Sequence, residues 1–144
     1  MKRIAAGLLL IASMVAHAQG LPDYANEMQV WSSTPKLYSA CRVFGVDRAP
    51  TSKLSAREFS IGMSCSSFVS GVFMGISADA EMRKEVAKRL GKPVPDQLVC
   101  PPTAFALKDL VSKVVAGFDK DPSLMSLGPA QAVYMILSES FPCR

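Results

Sequence analysis

The residues with the most chemistry in this chain are four cysteines, Cys41, Cys65, Cys100 and Cys143, and a single histidine, His17. Each could in principle serve metal binding, nucleophilic catalysis or disulfide formation. A zinc site needs a compact set of Cys and His ligands. No C-x-x-C spacing occurs here, and His17 lies in a segment that reads as a removable leader. Without it the chain has no Ser-His or Cys-His pair, no histidine base and no histidine ligand. "GMSCS" (Gly62 to Ser66) lacks the closing glycine of a nucleophile elbow. Asp96, Asp109, Asp119 and Asp121 are scattered, with no spacing that converges two carboxylates. The residues therefore read as those of a protein that is not an enzyme, with no metal and no cofactor.

Disulfides remain, and the leader decides whether they can form. Lys2 and Arg3 precede an uncharged apolar run from Ile4 to Val15, and Ala16-His17-Ala18 is a small-x-small cleavage site. Residues 1–18 thus read as a secretory signal peptide. The run is too short for a bilayer span, which takes about 20 residues. No second apolar run approaches spanning length, and no lipobox cysteine follows the cleavage site. The expectation is a soluble periplasmic protein with no membrane span after cleavage. An even number of cysteines in an oxidising compartment predicts disulfides. Four cysteines allow three pairings, and spacing alone does not choose among them.

Removing residues 1–18 from 144 leaves 126, enough for one domain with one core. Lys2 and Arg3 leave with the leader, so 16 basic residues become 14 against 12 acidic, a net charge of +2. Basic and acidic residues are interleaved without a basic-aromatic stripe, which argues against nucleic acid.

The elements that must position the cysteines can be read from periodicity. Residues 19–32 show no firm period and read as a flexible arm, with Trp31 tucked onto the body. A first helix follows, capped by Ser33 or Thr34, with Pro35 in its first turn and Leu37, Tyr38 and Cys41 on one face. A long second helix opens near Ser52 or Ser55. Phe59, Met63, Phe73 and Ile76 give it bulk, whereas Gly62, Ser66, Ser67, Ser70, Gly71 and Gly75 have almost none. Small residues at this spacing, Gly71 and Gly75 above all, read as close helix packing inside a globule. Residues 79–92 are helix-competent and charge-rich, and Gly91 and Pro93 stop them. They read as a solvated face or as a partner-facing surface.

A third helix starts after Cys100-Pro101-Pro102, with Thr103 as its cap. Leu107, Leu110, Val111, Val114 and Phe118 form an amphipathic stripe along it. Asp121-Pro122 ends it. The fourth starts at Gly128-Pro129, turns Val133, Ile136, Leu137 and Phe141 inward and stops at Pro142. No alternating β-branched run competes. The predicted fold is all-α, a small disulfide-stapled bundle of about four to five helices. The six methionines beyond the leader read as core filler. If the last two helices form an antiparallel hairpin, Cys100 and Cys143 meet at its open end, and the bond holds a terminus that would otherwise fray. Cys41 and Cys65, on the inner faces of the first two helices, form the other pair.

Four stretches together resemble a known family. "CSSFVSGVFMG" (Cys65 to Gly75) resembles its C-x-x-[YF]-x-x-G-x-x-x-[GA] helix. "VCPP" (Val99 to Pro102), then "DP" (Asp121-Pro122), then "FPC" (Phe141 to Cys143), resemble its C-terminal half. The family is the Rap1a/Tai group of type VI secretion immunity proteins, and the resemblance spans residues 33–144. It implies a periplasmic all-α protein, commonly a homodimer, that binds a secreted peptidoglycan amidase effector and occludes its cleft. Cys41, Cys65, Cys100 and Cys143 match the family's structural pattern, and Gly71 and Gly75 its packing pattern. No motif marks the partner contacts. The charge-rich segment 79–95 lies between two structural blocks, which makes Arg83, Lys84, Lys88 and Arg89 the expected contacts. The alternative is a periplasmic structural or chaperone-like binder without a dedicated toxin.

Overall fold

A computed structural model describes residues 23–44, 53–94, 96–100 and 106–143. Among the described residues four α-helices carry the fold: α1 (Thr34–Cys41), α2 (Ala56–Leu90), α3 (Leu107–Lys120) and α4 (Pro129–Ser140). Short 3-10 helices at Asp23–Asn26 and Val30–Ser32 precede α1, and one at Pro122–Ser126 joins α3 to α4. No strand occurs among the described residues, only an isolated antiparallel bridge between Val99 and Pro142. The all-α bundle expected from periodicity is the observed fold. Residues 1–18, expected to be a signal peptide, and Gly45, Pro50, Ser52 and Thr103 lie outside the described residues.

Helix α1 begins beside Ser33, which makes no side-chain capping bond. Pro35 fits the first turn because its missing N–H would be unpaired there anyway. The Thr34 hydroxyl instead donates to the Leu127 carbonyl, tying α1 to the loop before α4. Leu37, Ala40 and Cys41 face the core. Tyr38 sits edge-on to Phe118 of α3, with ring centroids 5.6 Å apart.

Helix α2 opens with a capping box. The Ser55 hydroxyl accepts from the Glu58 N–H at 3.2 Å, and the Glu58 carboxylate accepts from the Ser55 N–H at 2.9 Å. Charge-rich residues 79–90 simply continue this helix to 35 residues, because nothing before Gly91 breaks it. Gly91 then adopts the left-handed conformation, φ +60, that a helix C-terminus favours and a side chain resists. The N–H of Lys92 caps the Ala87 carbonyl at 2.9 Å.

The core lies where α1, α3 and α4 meet the first half of α2. Val69 and Phe73 of α2 meet Leu110, Val111, Val114 and Phe118 of α3 and Val133, Ile136 and Leu137 of α4. Val30, in the 3-10 helix just before α1, is fully buried among them. The described end of the segment read as a loose arm is therefore anchored at this residue. The expectation for Trp31 is corrected: it is 61% exposed while its neighbour takes the core position. Leu107, at the outer end of the α3 stripe, is likewise exposed, and Val115 joins the buried face.

Two glycines allow close approach, and they are not the two expected. A Cβ on Gly117 would stand 2.6 Å from the Ile136 side chain, and one on Gly62 would stand 2.7 Å from the Phe44 ring. Gly71 and Gly75 are exposed, with nothing within 4 Å of a Cβ at either position. Their expected role in packing within the globule is therefore corrected. The i, i+4 spacing was right for a shared face, but that face turns outward. Alanine normally favours a helix over glycine by about 1 kcal/mol. Gly117→Ala should reverse that sign and destabilise by about 1–3 kcal/mol, since Ile136 is buried and has little room to yield. Gly71→Ala should be neutral or stabilising. Urea unfolding of the two variants checks the contrast.

Helix α2 is long and apolar enough to cross a membrane, with an 18-residue window of mean hydropathy 1.5. This corrects the expectation that no second segment approaches spanning length. Interspersed serines and glycines hide the segment from a search for unbroken apolar runs. The helix is bonded to α1 and packs one face on α1, α3 and α4, while only 28% of that apolar window is buried.

Candidate partner-binding surface

The cysteines set the frame of the surface. Cys41 of α1 is bonded to Cys65 of α2, both fully buried, with Cα atoms 5.1 Å apart. Cys100 is bonded to Cys143 with Cα atoms 4.8 Å apart, at the end of α4. The Cys100 N–H also donates to the Phe141 carbonyl at 2.8 Å, and Val99 beside it is buried. Residues 91–94 therefore leave the tip of α2, and residues 96–100 lead to a firm anchor.

The second half of α2 has few neighbours. At 1.5 Å per residue α2 is roughly 52 Å long, whereas α3 and α4 are about 21 and 18 Å. Short helices cannot cover a long one. From Met74 to Leu90 only Ala87 is buried. Met82, Val86 and Leu90, spaced i, i+4, i+8, form a slanting apolar ridge and are 68%, 51% and 62% exposed. The ridge borders a groove of about 330 Å³, closed on its other side by Lys92 and Pro93 of the returning segment. Val94 and Leu98 add further exposed apolar surface along that segment. Contiguous exposed apolar surface of this kind marks an interaction site more often than an idle one.

Arg83, Lys84, Lys88 and Arg89 all fall on this half-helix but do not form one cationic face. At about 100° per residue, Arg83 and Arg89 are roughly 120° apart with the Met82, Val86 and Leu90 ridge between them, whereas Lys84 and Lys88 lie on the far side of the helix. Three of the four are paired within the helix: Arg83 with Asp79 at 2.6 Å, Lys84 with Glu81 at 2.9 Å and Arg89 with Glu85 at 2.9 Å. Such exposed pairs contribute only tenths of a kcal/mol and are easily exchanged for a partner's charges. Arg83 and Arg89 thus flank the apolar ridge, whereas Lys84 and Lys88, expected as contacts from the sequence, are turned to the opposite face. Sequence reasoning missed the ridge, although its i, i+4, i+8 signal was present, because the surrounding charges dominated the reading of residues 79–92.

A second, polar cleft of about 190 Å³ lies alongside. Ile76, Asp79, Ala80 and Arg83 of α2 form one wall, residues 96–99 another, and Tyr134 of α4 the floor. The buried Gln97 side-chain nitrogen has no hydrogen-bond partner. A larger groove of about 380 Å³ between α1 and Ile61 has a mainly apolar lining. Among the described residues no three Cys, His, Asp or Glu side chains converge as metal ligands would.

One titration is built into the opposite side of the bundle. The Tyr38 hydroxyl donates to the Asp119 carboxylate, which raises its pKa above the ordinary tyrosine value. The folded-state pKa is the higher one, so the stabilisation is complete below about pH 10 and is lost as pH rises through the folded value. Ultraviolet titration should show one tyrosine ionising late, and Tyr38→Phe should remove that phase.

A family model described as Rap1a immunity proteins matches residues 33–143. The match covers most of the chain, including all four cysteines and all of α2, and the chain belongs to that family. Its role is that of an immunity protein, which acts by binding a toxin protein rather than by catalysis. No curated protein and no solved structure matches it.

Proposed function

We propose that this chain, exported to the periplasm by residues 1–18, binds a type VI secreted peptidoglycan amidase and blocks its cleft. The contact surface is the second half of α2 with the returning segment 91–99. One observation supports this placement above others. Phe59, Met63 and Met74 of α2 are also exposed, but Met82, Val86 and Leu90 form a continuous i, i+4, i+8 ridge beside an open groove, with Arg83 and Arg89 on its flanks. Burying three such side chains contributes about 1.5–3 kcal/mol each to association, before the costs of ordering the partners. Arg83 and Arg89 act at the rim, where charge raises the association rate and rejects wrong partners, while Lys84 and Lys88, on the opposite face, add only long-range attraction. The two disulfides suit an oxidising compartment. Homodimerisation, as the family resemblance implies, belongs to the same proposal.

The test uses the oxidised, leader-free chain as bait for type VI secreted proteins. The captured protein must be a wall-cutting amidase, and the chain must stop its digestion of peptidoglycan at stoichiometric amounts. Digestion that continues at saturation, or capture only of unfolded clients, would replace immunity with a chaperone-like role.

A further inference from the structure

We propose that the Cys100–Cys143 bond is a redox switch. A dithiol reductant opens it selectively, loosens residues 91–94 and 96–100 and so disables the partner surface, while the Cys41–Cys65 bond keeps the bundle folded. The loss of partner binding rests on the proposed function; the selective opening and the loosening do not.

The two disulfides differ in access. Cys41 and Cys65 are 0% exposed, sealed between α1 and α2. Cys100 is exposed and Cys143 is half-buried, where the chain has left α4. Thiol–disulfide exchange requires a thiolate to reach a sulfur, so its rate follows access, and exposed disulfides are the labile ones. The first thiolate of the reductant attacks Sγ of Cys100 and forms a mixed disulfide, and Cys143 leaves as a thiolate and takes up a proton. The second thiolate of the reductant then displaces Cys100, which is protonated in turn. One dithiol is oxidised to a disulfide as one protein disulfide is reduced to two thiols.

The accessible bond is also the one that anchors the partner surface. Among the described residues from Gly91 to Cys100 only Val99 is buried. Yet Lys92 and Pro93 close the groove beside Met82, Val86 and Leu90. The segment is tied down by the disulfide, by the 2.8 Å hydrogen bond from the Cys100 N–H to the Phe141 carbonyl and by the Val99–Pro142 bridge. Pro142 has no N–H with which to extend that bridge into a ladder. Once the covalent tie opens, one hydrogen bond and one buried valine remain. The bundle itself does not depend on this bond, because Cys41 and Cys65 belong to the buried core and Cys100 and Cys143 do not.

The first test needs no effector, so its failure leaves the immunity reading intact. The oxidised, leader-free, ¹⁵N-labelled chain is treated with limiting dithiothreitol. Alkylation and peptide mass mapping follow the four cysteines, and NMR follows the backbone. Cys100 and Cys143 should become alkylated at least about 10-fold faster than Cys41 and Cys65. On opening, the heteronuclear NOE of Lys92 and Leu98 should fall and the Cys100 amide exchange at least about 10-fold faster, with α3 unchanged, and reoxidation should restore both. Against the captured amidase, the opened chain should bind at least about 10-fold more weakly. Equal opening rates, earlier opening of Cys41–Cys65, or a backbone unchanged by opening would each overturn the proposal. So would loss of α3 protection when Cys100–Cys143 alone is open, or equal affinity of the opened and closed chains for the amidase.

Discussion

Replacing Cys41 and Cys65 together by alanine lowers the stability of the oxidised protein by about 3.5 kcal/mol, the chain-entropy value for the loop they close. Their sequence separation is 24, and both residues are fully buried between α1 and α2. Helix α1 has only eight residues, too few to hold its shape alone. Its position depends on this bond, on the Leu37 and Ala40 contacts and on the Thr34 hydrogen bond to Leu127. Losing the bond removes a large share of the 5–15 kcal/mol typical of a whole domain. The double substitution avoids leaving one reactive thiol in the core. Guanidinium unfolding of the variant against the oxidised parent measures the loss, and a difference under about 1 kcal/mol would contradict the account.

The Cys100–Cys143 bond closes a longer loop, and the same reasoning gives about 4 kcal/mol. It lies at the end of α4, where chain ends fray first. Its loss should therefore show first as faster exchange of the Cys100 amide, which bonds to Phe141.

Val86→Asp combined with Leu90→Asp abolishes effector binding, with affinity falling at least about 100-fold, or roughly 2.7 kcal/mol. Both side chains are more than half exposed in the free chain, so folding stability changes little. In a complex they lie at the centre of the apolar surface, where a carboxylate would be buried without a partner. The paired comparison is Arg83→Glu with Arg89→Glu. Those cations flank the ridge, and their reversal should slow association several-fold with little change in dissociation. Surface plasmon resonance separates the two effects. Equal losses from both double variants would return the weight to the charges, as the sequence alone suggested.

The all-α bundle was legible because periodicity reports burial directly. Leu110, Val111, Val114 and Phe118 alternate as a helix face must, and the structure buries all four. Glycine was misread for a physical reason. Gly71 and Gly75 share a spacing that fits close packing, but spacing does not say whether a second helix is present on that side. Gly62 and Gly117 carry no special spacing, and only the positions of Phe44 and Ile136 in space single them out. The partner surface was half legible. The segment 79–92 was singled out, yet its charges drew attention from the Met82, Val86 and Leu90 ridge. That ridge becomes conspicuous only once α2 is seen to outrun α3 and α4. Gln97 carried no sequence signal, because an unsatisfied amide is a property of burial and neighbours.

The most direct test of the central claim is amide hydrogen exchange on the oxidised chain, alone and saturated with the captured amidase. The account predicts strong new protection across residues 79–99, with α3 and the buried face of α4 unchanged. Protection confined to α3 and α4, with residues 79–99 exchanging as in the free chain, would contradict it.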